Sequence, residues 1–175
     1  TGTRTRPTSP IATGRGTGST VTQPPDDGLA TGLRELIAEA TGSDPGALEI
    51  STIPGGASRE TFLAASNDGR WVLRRDPVGA KDSFAPLETE FRVVKAAAAA
   101  GVRVANGLAF EPAGGRLESA GFVMDHVEGT SFAPRVLRRE ELEAARSALP
   151  AQLGEALARI HSIDGRSIEG VAVSD

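Results

Sequence analysis

The turn Asn67-Asp68-Gly69-Arg70 limits the fold of this chain more than any other feature. It joins two short runs, Thr61 to Ala65 and Trp71 to Arg75. An Asp-Gly pair reverses the chain tightly, so the flanking runs should pair antiparallel as neighbours. Upstream, Leu48-Glu49-Ile50-Ser51-Thr52-Ile53 alternates apolar and polar residues, and Pro54-Gly55-Gly56 ends it. Together these runs predict a three-stranded antiparallel meander.

Helical periodicity brackets the meander. Leu33, Leu36, Ile37 and Ala40 recur at helical spacing from about Leu29, and Gly42 stops them. Asp44-Pro45 then opens a short turn. Pro86 to Ala100 reads as a second helix with Leu87, Phe91, Val94 and Ala98 on one face, stopped by Gly101. Val102 to Phe110 and Gly121 to Met124 read as two further strands about the Gly114-Gly115 turn. Beyond Gly129 only helical patterns remain, over 138–149 and 151–161, with Pro150 between them. This order implies an α+β fold that changes layer near Gly129.

Composition narrows the classes. At 175 residues the chain suits one domain, or one and part of a second. Without cysteine it holds no disulfide, thiolate metal site or cysteine nucleophile. Nineteen basic against 23 acidic residues oppose a general nucleic-acid binder. Residues 1–25 hold Arg4, Arg6, Arg15 and no acid, which leaves 16 basic against 23 acidic in the rest. Residues 1–28 are rich in Thr, Gly, Pro and Ser and are expected to be a disordered tail. Such a composition also suits a transit peptide, but the prolines and glycines oppose the helix one would form. No apolar run approaches the roughly 20 residues of a membrane span, so no membrane partner and a cytoplasmic location are expected. The chain begins at Thr1 and its only methionine is Met124, which reads as a processed chain or a piece of a longer one.

Three features could carry chemistry. Gly55-Gly56-Ala57-Ser58-Arg59 is a small-residue loop between strands, where consecutive N–H groups can cradle an anion, although a plain hairpin turn is the commoner use of Gly-Gly. Arg74 lies on the strand that follows, sharing a face with Val72, and a solvated strand-end arginine is the bland alternative. Glu90 lies on the second helix, where a wet helix face is the ordinary fate of a carboxylate. A loop, a strand cation and a helix carboxylate are also the parts that position a nucleotide triphosphate in kinase folds. His126 and His161 read as structural or exposed.

Gly55 to Phe62, Trp71 to Arg75, Leu87-Glu88-Thr89-Glu90-Phe91-Arg92-Val93 and Phe122 to Gly129 occur in an order that resembles the amino-terminal lobe of the aminoglycoside phosphotransferase family, which has a protein-kinase-like fold. Leu157 to Asp164 resembles the first helix of its carboxyl-terminal lobe. The resemblance divides the chain into a nucleotide-binding lobe over 29–129 and the start of a helical lobe over 130–175. It implies ATP and Mg²⁺ as cofactors and a small hydroxyl-bearing compound as acceptor. It places Gly55, Gly56, Ala57, Ser58 and Arg59 over the ATP phosphates. Arg74 stands where most kinases carry lysine, and Glu90 orients that cation. Met124 lines the back of the adenine pocket, with Asp125 and Val127 holding adenine through their backbone.

The family's catalytic His-Gly-Asp loop, with asparagine five places after the aspartate, has no counterpart here. The only asparagines are Asn67 and Asn106, both upstream of Gly129, and Glu169 stands five places after Asp164. Arg103 and Asn106 also replace prolines common after the second helix. The expectation is a phosphotransferase fragment that is inactive by itself, with metal ligands elsewhere. A non-catalytic kinase-like binding module is the alternative. Leu149, Leu153, Leu157 and Ile160 are expected to lie exposed and to favour aggregation.

Overall fold

The computed structural model describes residues 27–54, 58–79, 86–130 and 132–172. Helix α1 spans Asp27–Thr41 and leads into strands β1 (Glu49–Thr52), β2 (Glu60–Ala65) and β3 (Arg70–Arg75). Helix α2 (Leu87–Ala99) follows, then β4 (Gly107–Glu111) and β5 (Gly121–Asp125). Helices α3 (Ala133–Arg138) and α4 (Glu143–His161) come last. The strands form one antiparallel sheet in the order β1-β2-β3-β5-β4. The α+β architecture is the one expected.

The hairpin turn sets the register of the sheet. Ala65 pairs with Arg70 and Phe62 with Leu73, so Phe62, Ala64, Leu73 and Val123 share one face. Helix α1 covers that face with Leu29, Leu33, Leu36 and Ile37. Leu117 completes this core. Each such side chain contributes about 1.5–3 kcal/mol when fully buried. Gly32 makes the close approach possible, because a Cβ there would collide with the Arg116 carbonyl. Arg116 also ties the layers electrostatically, donating to Glu111 at 2.8 Å and to Glu39 of α1 at 2.8 Å. The turn after α1 is fastened at Asp44, which accepts from Arg34 Nε at 2.7 Å and Gly46 N at 3.0 Å. The Arg34 hydrogen bond holds its carboxyl down to about 2.

Helix α2 covers part of the opposite face. Phe91 sits between Phe110 and Phe122, with ring centroids 6.1 and 5.7 Å away. Leu87, Thr89 and Ala97 are its buried residues, whereas Phe91, Val94 and Ala98 are half-buried. Leu87 and Phe91 of the expected apolar face thus meet the sheet side, while Thr89 and Ala97 are buried beside them.

Two boundaries differ from expectation. The strand expected from Val102 begins only at Gly107, since residues 102–106 serve as a connection in which Val102 is buried. Pro150 does not divide the carboxyl-terminal helix, which runs unbroken through it. A proline there removes one hydrogen bond to the preceding turn. The helix is exposed at that point, so water can satisfy the freed carbonyl. Helix α1 begins at Asp27; the remainder of the expected tail lies outside the described residues.

Candidate functional site

Register decides which side chains meet on the sheet face away from α1. Thr61 pairs with Arg74, Leu63 with Val72, and Phe122 and Met124 with Arg74 and Val72. Directly paired residues of antiparallel strands point to the same side. Leu63, Val72, Arg74 and Met124 therefore form an apolar, half-open strip with a single cation at one end. Helix α2 stands beside that end and brings Glu90 to it.

The Glu90 carboxylate is shared by two arginines. Its Oε1 lies 2.8 Å from Arg74 Nε, and its Oε2 accepts a hydrogen bond from Arg59 Nη1. The two contacts are unequal in kind. Arg74 Nε is buried and off the line that a hydrogen bond requires, so its attraction to Glu90 is a contact of charges. Arg59 makes the aligned bond. Its side chain is only 7% exposed, and Asp76 Oδ1 stands 3.3 Å from its Nε as a second counter-charge. Arg74 is 37% exposed, and its Nη nitrogens have no recorded partner among the described residues.

An arginine suits this position for a physical reason. Lysine has one nitrogen to serve both a carboxylate and a ligand, whereas arginine can lend Nε to one and its Nη pair to the other.

Residues from the last part of the chain brace α2 from outside. Arg92 reaches Glu169 at 3.1 Å, and Arg159 donates to the Gly101 carbonyl just past the end of the helix. Gly170 packs so closely on Thr89 that a Cβ would collide with the threonine hydroxyl. These contacts fix both ends of the helix that carries Glu90.

The residues singled out from sequence fall into three groups. Arg59, Arg74 and Glu90 are brought together. The Arg59 guanidinium is buried against Glu90 and Asp76. Met124 lies on the same face, and Asp125 and Val127 run along the exit from β5. The Asp125 N–H donates to the Asn106 carbonyl at 3.0 Å, so it is engaged, while Val127 is exposed. Ser58 is exposed, and Gly55, Gly56 and Ala57 lie outside the described residues. Sequence reasoning missed Asp76, which it read only as a strand stop before Pro77. Its position two residues beyond Arg74 was the available signal, because period two returns it to the face of Arg74. His161 is exposed and His126 half-buried, and neither reaches this cluster.

Among the described residues no group of three or more His, Asp or Glu side chains converges to hold a metal. Nor is any described helix long and apolar enough to cross a membrane.

Comparison with known proteins places this geometry. The model of the phosphotransferase enzyme family matches residues 49–171. The chain belongs to that family. It is similar to the crystal structure of a candidate aminoglycoside phosphotransferase from Ralstonia eutropha, with a TM-score of 0.59 and 24% identity. That likeness covers 79% of this chain and 40% of the other, and it supports the kinase-like fold. Two mouse proteins are also similar. Acyl-CoA dehydrogenase family member 11 is 31% identical over 133 residues, 73% of this chain and 17% of its own length. Family member 10 is 29% identical over 141 residues, 80% of this chain and 13% of its own. The chain thus spans a minor part of each of these relatives.

Proposed function

We propose that this chain is the nucleotide-holding part of an ATP-dependent phosphotransferase that moves the γ-phosphoryl group to a hydroxyl of a small molecule. The pairing of Arg74 with Glu90 beside an apolar strip carries the proposal. Leu63, Val72 and Met124 offer a flat apolar surface to a base, with the backbone at Asp125 and Val127 along its edge. Arg74 offers its Nη pair to the α- and β-phosphates, while Glu90 holds the same side chain through Nε. The family resemblance assigns Gly55, Gly56, Ala57 and Ser58 to the ATP phosphates, with backbone N–H groups as the donors. Residues 29–129 form the nucleotide-binding lobe, and 130–175 begin the helical lobe.

ATP supplies the phosphoryl group, and Mg²⁺ would neutralise charge developing on it. Arg74, Glu90 and the apolar strip would bind and orient the nucleotide. The chain spans 40% of the solved neighbour and has no asparagine beyond Asn106. We therefore assign the acceptor base and metal ligands to polypeptide outside these 175 residues.

Calorimetric titration with ATP tests this directly. The chain should bind ATP, and Arg74→Ala should weaken that binding about tenfold or more, as expected for loss of a charge-assisted contact. Failure of the unaltered chain to bind ATP at millimolar concentration would overturn the assignment.

A further inference from the structure

We infer that Arg59 is a positioning residue of this site: it fixes Glu90 from the start of β2, and so leaves the Arg74 Nη nitrogens to meet the phosphate chain. The inference rests on the nucleotide reading above and deepens it. The hydrogen bonding carries it. Glu90 gives its aligned acceptor site to Arg59 Nη1, while Arg74 Nε is close at 2.8 Å but misaligned. The side chain holding Glu90 in place is therefore Arg59, and Arg74 is attracted to a carboxylate already anchored. Burial supports the same division, since Arg59 is 7% and Arg74 37% exposed. Asp76 completes the arrangement by standing 3.3 Å from Arg59 Nε. Among the described residues, the carboxylates of Glu90 and Asp76 thus face the guanidiniums of Arg59 and Arg74, and a polyphosphate would meet the Arg74 Nη nitrogens there.

Arg59 also lies next to Ser58, at the end of the small-residue loop. Its bond to Glu90 links the residue just before β2 to α2. An arginine in this place acts on phosphates through Glu90 and Arg74, not by touching them.

The test compares ligands with and without phosphates. ADP and adenosine are titrated by calorimetry into the full chain and its Arg59→Gln, Arg59→Lys and Glu90→Gln variants. Arg59→Gln should weaken ADP about tenfold and change adenosine less than about twofold, since only the phosphates depend on Arg74. Arg59→Lys should recover much of the loss, because an ammonium can still pair with Glu90. Adding Arg59→Gln to Glu90→Gln should weaken ADP little further, as both act through one carboxylate. ADP affinity unchanged in Arg59→Gln overturns the inference. So does an equal loss of ADP and adenosine, which marks a general structural role. If Arg59→Gln does not fold, Asp76→Asn decides in the same way, with ADP expected to weaken more than adenosine. An unaltered chain that binds neither ligand refutes the nucleotide reading itself, and that outcome appears before any substitution is made.

Discussion

Glu111 shows how one side chain can tie strand, turn and helix together. It is buried at the end of β4 and accepts from the Arg116 side chain at 2.8 Å and from the Arg116 N–H at 2.9 Å. Those hydrogen bonds, the side-chain one foremost, hold its carboxyl below the ordinary glutamate value of 4.5. A carboxyl lowered by folding stabilises the native state above its unfolded pKa and loses that contribution as pH falls toward the folded value. Urea midpoints of the chain should therefore decline below about pH 4.5, where this group begins to take up its proton. Glu111→Gln should have a lower midpoint than the unaltered chain at pH 7, and the gap should narrow as pH falls through that window. A gap that is constant with pH would show that the charge is irrelevant. Arg59 teaches the complementary lesson at this scale. The family resemblance assigned it to the phosphate loop, and in the fold Glu90 and Asp76, both distant in sequence, lie against its guanidinium.

The two long helices at opposite ends of the chain differ in how they earn their place. Helix α1 buries Leu29, Gly32, Leu33, Leu36 and Ile37, whereas α4 buries nothing. Leu33 is 0% exposed and Leu153 is 60% exposed. Leu33→Ala should cost about 2–5 kcal/mol, because it removes buried methyl groups and leaves a cavity beneath the sheet. Leu153→Ala should stay within about 0.5 kcal/mol. Chemical denaturation of the two variants checks both figures, and comparable losses would mean that α4 is covered in solution. The sheet itself follows from strand chemistry: the Asp-Gly turn fixes the β2–β3 pairing, and alternation assigns each residue a face.

At the scale of the molecule, the core lies between α1 and the sheet, and the candidate site lies on the sheet's other face. Separating the two lets one face be tightly packed while the other stays half-open to a ligand. The helical end is less well covered. Phe132, Leu137, Leu149, Leu153, Leu157 and Ile160 are all exposed, and they include the four residues that sequence marked for exposure. Apolar surface of this extent favours association. Sedimentation velocity should show concentration-dependent self-association of this chain, reduced by the double substitution Leu153→Glu and Leu157→Glu. A monodisperse monomer at high concentration would contradict it.

Local chemistry alone was enough to determine the α+β class, the strands, the hairpin, α2 and the family resemblance. Turn type and periodicity are properties of a few adjacent residues, and they survive whatever packs around them. The pairing of Arg74 with Glu90 came from the family resemblance, and the fold places the two side chains 2.8 Å apart. Other features had no local signature. The strand expected from Val102 started late because Val102 is buried in a connection, and Pro150 sat within an exposed helix it was expected to divide. The burial of the Arg59 guanidinium depended on the carboxylates of Glu90 and Asp76 that the fold brings to it. Where a long, flexible charged side chain ends is set by the partners that the tertiary fold brings within its reach, and only the folded molecule supplies them.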